Sequence, residues 1–251
     1  MHEGFKVPKL EYLKEGVKPI MVAVGTYEDF GMRSYLKAFP EGVENNPKHE
    51  VDFKGSPEEL KKGNFLNGGH ETYVFSPLDG LDKYSREFFD CTVLVVAGVD
   101  KNTGENISWL SHQDPKKFLT DKKEDFIRDL RQRLLEAKEA CEPGTIDATL
   151  VGGNYFSKYL HREKPLHKKN YLDSVSLLSG EVEKVLGFKP RIINGPKETG
   201  GHDSVYFDNK NKRLYLMRVK VNSQINSFTR DDISDKEDKG DSTDFAELKL
   251  K

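Results

Sequence analysis

Apolar residues are scarce in this chain: they make up 35% of its 251 positions, against a usual 45–50% for globular domains. No apolar run is long enough to span a bilayer, and the N-terminal MHEGFKVPKLEYLKEG lacks the continuous apolar stretch of a signal sequence. Membrane insertion and export are therefore not expected. Cysteine is nearly absent as well. Cys91 and Cys141 could form only one disulfide, far from the density of a stapled secreted scaffold, so reduced thiols in a cytoplasmic protein are expected. Charge of either sign is balanced: 40 Lys and Arg face 42 Asp and Glu, a formal net charge of −2. No overall field would gather nucleic acid or an anionic membrane. Nor is any internal repeat of about 20 to 50 residues visible, which disfavours repeat architectures.

The missing hydrophobicity is concentrated in two places. From residue 222 to 251, NSQINSFTRDDISDKEDKGDSTDFAELKLK is rich in charge and poor in apolar side chains, the composition of a disordered acidic tail. Residues 31–80 are punctuated by Gly, Pro, Asn and Lys between short apolar pieces such as Tyr73-Val74-Phe75, and read as an irregular insertion in a single domain spanning 1–221.

Elsewhere the patterning is strong. Pro19 to Gly25 and Cys91 to Val99 read as buried strands. The second is followed by turn residues from Asp100 to Gly104 and by a further strand, Ile107 to His112, which is the pattern of a β-hairpin. Lys123 to Ala140 places Phe126, Ile127, Leu130, Leu134 and Ala137 on one helical face, with Asp121 and Glu124 spaced as a capping pair. Ile146 to Val151 is another strand, Leu172 to Leu186 a second helix stopped by Gly187, and Arg191 to Ile193 a short strand. A closing hairpin runs from Ser204-Val205-Tyr206-Phe207 through Asp208 to Asn211 and back along Arg213 to Val219. Strands and helices are mixed without strict βαβ alternation, which predicts an α+β layered sandwich, its sheet mainly antiparallel with two packing helices.

The hairpin offers a geometric test for chemistry. A two-residue loop at Lys101-Asn102 carries the ladder down to Cys91 opposite His112, where Cβ atoms lie about 4.5–5.5 Å apart. A four-residue loop shifts the pairing by two yet keeps both side chains on one face, whereas a three-residue loop or a bulge separates them. Imidazolium beside thiolate lowers a cysteine pKa and makes the sulfur nucleophilic near neutral pH. Against this stands the plain reading of Cys91 as a small hydrophobe in an apolar strand. Cys141 has no comparable partner and is expected to be structural. Phe88, Phe89 and Trp109 could wall a cleft or simply belong to the core. Gly152-Gly153 and Gly200-Gly201 could shape it by close backbone approach or simply form turns.

Together, Cys91 with its apolar strand and turn, His112 ending the next strand, the amphipathic helix and Ala148-Thr149-Leu150-Val151-Gly152-Gly153 resemble the CheD chemoreceptor glutamine deamidases. Val22 to Tyr27 is similar to that family's opening strand. Val185 to Ile192, Glu198-Thr199-Gly200-Gly201 and Ser204 to Phe207 are similar to its closing segment. The likeness covers Cys91 to about Val219 plus the opening strand, somewhat over half the chain. It implies a deamidase fold shared with certain bacterial toxins, with Cys91 as nucleophile and His112 as general base and acid. The family's third residue is a threonine six positions before the cysteine, where Ser85 stands here. Phe89, Trp109, Ser111, Gly152, Gly153, Gly200 and Gly201 would then border the substrate cleft. The chain departs from the family in Glu87-Phe88-Phe89-Asp90 before the cysteine and Ser108-Trp109-Leu110-Ser111 before the histidine. No cofactor is implied, the partner is a protein substrate, and a chemotactic role does not follow from the residues.

Two other classes are compatible with the sequence. One is a noncatalytic interaction module retaining the fold, docking through its acidic tail and the basic stretch Lys158, His161, Arg162, Lys164, His167, Lys168 and Lys169, itself expected as a surface loop. The other is a metal site of Cys91, His112 and His202, which lacks any tight ligand spacing.

Overall fold

The computed structural model describes residues 10–26, 30, 48–52, 56–153, 164–194 and 201–220. In chain order the elements are β1 (Met21–Gly25), β2 (Lys48–Glu50), α1 (Pro57–Lys62), β3 (Leu66–Asn67), β4 (Tyr73–Phe75), β5 (Asp82–Phe88), β6 (Thr92–Val99), β7 (Asn106–Gln113), α2 (Pro115–Phe118), α3 (Lys123–Ala140), β8 (Asp147–Gly152), α4 (Lys164–Leu186), β9 (Arg191–Asn194), β10 (Gly201–Asp208) and β11 (Arg213–Lys220). Among the described residues the strands form two mixed sheets. The first runs β1-β11-β10-β5-β2 and the second β3-β4-β7-β6-β8-β9. The chain is thus an α+β sandwich of three layers: the first sheet, the second sheet, and the long helices.

The middle layer explains why β6 reads as a continuous apolar run. Val93, Val95 and Ala97 face the first sheet, packing with Val24, Val205, Phe207, Leu214 and Leu216. Leu94 and Val96 face the other way, with Trp109, Leu150, α3 and α4. A strand buried on both faces has no need of polar alternation. Helix α3 turns Phe126, Leu130, Leu134 and Ala137 to this second core.

Several expectations change. The β6–β7 turn is the four-residue form: the Asp100 N–H donates to the Glu105 carbonyl and the ladder runs from Val99↔Asn106 through Val93↔His112 to Thr92↔Gln113. Helix α3 takes Lys122 as its N-cap with no side-chain cap, because Asp121 lies one residue too early. Helix α4 starts at Lys164 rather than Leu172, so the end of the expected basic loop is its first turns; Lys169 pairs with Asp173 one turn on at 2.5 Å. The described parts of the expected insertion are built into both sheets, through β2, β3 and a fully buried β4. The tail at 222–251, Gly200, and the basic residues from Lys158 to Arg162 lie outside the described residues.

Candidate active site

The site forms where the chain leaves the first sheet for the second. Strand β5 turns Lys83 and Ser85 into the layer between the sheets, opposite Phe207 and Val205 of β10 as ladder partners. A bulge follows, because three steps on β5 from Ser85 to Phe88 are matched by two on β10. Its extra residue brings Phe88 back inward, 2% exposed, with its ring 5.4 Å from the His112 imidazole. Strand β5 then ends, Phe89 and Asp90 turn, and Cys91 stands immediately before β6.

His112 is buried near the end of β7, opposite Val93. Cys91 shares the face of Val93, so Cys91 and His112 are diagonal neighbours rather than directly opposed. Across the inter-sheet layer, Ser85 Oγ and His112 Nδ1 lie 2.8 Å apart, in hydrogen-bond contact. The three residues singled out for chemistry therefore belong to one corner of the molecule.

The glycine doublet belongs there too. The Gly153 N–H donates to the Cys91 carbonyl at 3.0 Å. Gly152 and Gly153 have φ of 92° and 81°, in the left-handed region that favours glycine. A Cβ on Gly152 would meet the Phe88 ring at 2.6 Å and the Cys91 carbonyl oxygen at 2.9 Å, and one on Gly153 would run into Tyr171. Only residues without side chains let β8 come this close beneath Cys91.

Other expected cleft residues fall elsewhere. Trp109 and Ser111 sit at odd positions of β7, on the face opposite His112, because strand side chains alternate. Trp109 is fully buried beside Phe75, and the Ser111 hydroxyl is 3.5 Å from the Leu94 carbonyl. Both belong to the helix-side core. Phe89 is at the surface, 52% exposed, with its ring edge-on to His202 at 5.6 Å. Gly201 begins β10. Among the described residues no three His, Cys, Asp or Glu side chains are grouped to hold a metal ion, so Cys91, His112 and His202 make no such centre.

Sequence reasoning missed the charged rim. Continuing the ladder by one rung sets Asp114 across from Cys91, and Asp114 caps α2 by accepting the Lys116 N–H at 2.9 Å. Lys116 pairs with Asp90 at 2.7 Å and Lys117 with Glu71. The four-residue form of the hairpin loop was the signal for Asp114. This environment reverses the expected shift of the thiol. Burial pushes Cys91 well above its ordinary value, Asp114 and Asp90 push the same way, and Lys116 and Lys117 only partly offset them. Cys141 is packed against Gly98 and pushed up to about 11, mainly by burial.

Compared with known proteins, the chain matches no protein-family model and no curated protein sequence. No helix among the described residues is long and apolar enough to cross a membrane.

Proposed function

We propose that the chain is a cysteine-dependent amide hydrolase of the CheD-like type, converting a protein glutamine to glutamate through a thioester on Cys91. The observation that carries this reading is the 2.8 Å contact between Ser85 and His112. With the hydroxyl accepting from Nδ1–H, the ring would be held in the tautomer whose Nε2 can take a proton. The CheD-like order of Cys91, His112 and the glycine doublet supports the same assignment.

Desolvation and the nearby carboxylates push the Cys91 pKa up, which favours deprotonation that accompanies attack over deprotonation that precedes it. The Sγ–H proton passes to His112 Nε2 as sulfur bonds to the carboxamide carbon. Collapse of the oxyanion breaks the C–N bond, and the same proton leaves with ammonia. Water then gives a proton to His112, its hydroxide attacks the thioester, and the C–S bond breaks with the proton returned to sulfur. The upward push on the thiol favours the second reading, a noncatalytic interaction module in which Cys91 is an inert small hydrophobe.

Ammonia release from a panel of glutamine-containing proteins separates the two. The hydrolase releases ammonia, and Cys91→Ala and His112→Ala each bring it to background. Release that survives either substitution, or none from any protein on the panel, favours the noncatalytic module.

A further inference from the structure

Lys83 is fully buried, with its side chain inside the apolar layer between the two sheets. Its Nζ donates to Asp79 Oδ1 at 2.9 Å, to the Leu81 carbonyl at 2.7 Å and to Ser108 Oγ at 3.3 Å. Asp79 is itself anchored to the second sheet, exchanging two backbone hydrogen bonds with Ser108 of β7. His49 of β2 completes the cluster, its Nε2 2.9 Å from Asp79 Oδ2. Lys83 and His49 belong to the first sheet, Ser108 to β7 of the second, and Asp79 is bridged to Ser108. The cluster is a polar fastening across the layer.

The rest of that layer is largely aliphatic. Apolar contact is non-directional, so it presses two sheets together without fixing how far one slides along the other. Hydrogen-bonded groups do fix it, and retaining a buried cation has its best-attested use in setting such a register. Ser85 lies two residues beyond Lys83 on the same face of β5, about 7 Å along the strand. His112 lies four residues beyond Ser108 on the same face of β7. Sliding the sheets by a fraction of that distance would break a 2.8 Å contact.

We propose that Lys83 is a positioning residue: by locking β5 to β7 through Asp79 and Ser108, it sets the sheet register in which Ser85 meets His112. Its relevance to catalysis rests on the function proposed above, but its effect on the imidazole does not. Lysine is an expensive choice for an apolar layer, and methionine of similar length fills the same space without the fastening. Nothing in Lys83 touches the reacting sulfur, so its action runs through the histidine.

The experiment is nitrogen-resolved NMR of the His112 ring in full-length protein labelled at histidine, comparing wild type with Lys83→Met and with Ser108→Ala. In wild type the ring holds one tautomer. In Lys83→Met the nitrogen shifts move toward a tautomer mixture, and Cys91 alkylation slows about tenfold, within the range for a sub-ångström misplacement. Ser108→Ala moves the shifts the same way by a smaller amount, and it decides the matter if Lys83→Met fails to fold. His112 signals unchanged in folded Lys83→Met, or in Ser108→Ala when the first variant is unfolded, overturn the inference. If His112→Ala leaves Cys91 alkylation untouched, the functional reading fails instead, while the ring spectra still report on Lys83.

Discussion

At the scale of single residues, the backbone beneath Cys91 is as important as its sulfur. Gly153 holds the Cys91 carbonyl through its N–H while lying against Tyr171 and Thr92. Gly153→Ala asks an L-residue to adopt φ of 81°, at a cost of about 1–2 kcal/mol, and adds a methyl where Tyr171 already stands. We expect a loss of at least about 2 kcal/mol in urea unfolding, with an altered Cys91 alkylation rate in the fraction that stays folded. Gly104 offers the control: it also has positive φ, 74°, but a Cβ there meets open space, so Gly104→Ala incurs only the backbone strain. Equal losses at the two positions would show that Gly153 is an ordinary turn residue. The local chemistry at Cys91 was only half legible. The sequence pattern pointed to the thiol and the imidazole, and the family likeness to the hydroxyl, but their spacing carries no information on desolvation. The desolvation and the two carboxylates that push the Cys91 pKa up come from the turn and from the start of α2.

At the scale of elements, strands buried on both faces and the amphipathic α3 were legible, because each obeys one period of hydrophobicity. Strand β5 was not. Its inward positions are Lys83 and Ser85, whose polar heads make inter-sheet bonds, so its alternation looks inverted. Strands β2 and β3 are only three and two residues long and present no period at all. The β4–β5 connection shows what such polar elements contribute. Burial alone would raise the Asp79 pKa, but His49, Lys83 and the Leu81 N–H outweigh it and bring it down to about 2. A carboxylate held below its unfolded value stabilises the fold above that value and loses the contribution as pH falls through the folded one. The stabilisation from Asp79 should therefore be present above about pH 4 and fade toward about pH 2, by about 2 kcal/mol. Urea midpoints for wild type and Asp79→Asn should differ near pH 5 and converge toward pH 2. A gap independent of pH would mean that the carboxylate charge is not what fastens the sheets.

At the scale of the whole molecule, two sheets packed face to face bring together residues from β5, the β5–β6 turn, β7 and the end of β8. The layered α+β class followed from the order of apolar strands and helices. The distribution of strands between two sheets did not, since it depends on pairings between distant segments, such as parallel β1 and β11. The 2.8 Å bond that crosses the layer was approachable only through the family likeness of Ser85, because nothing local in the sequence says that β5 and β7 lie in different sheets.

Alkylation of Cys91 by a small neutral reagent, followed from about pH 6 to about pH 9 in wild type and His112→Ala with Cys141 as internal reference, tests the central claim most directly. If His112 takes the thiol proton, the wild-type Cys91 rate exceeds that of Cys141 and levels off through neutral pH. In His112→Ala it falls at neutral pH and climbs about tenfold per pH unit, as the thiolate fraction of an isolated high-pKa cysteine does. Indistinguishable Cys91 profiles in the two proteins would contradict the claim that Cys91 and His112 act as a pair.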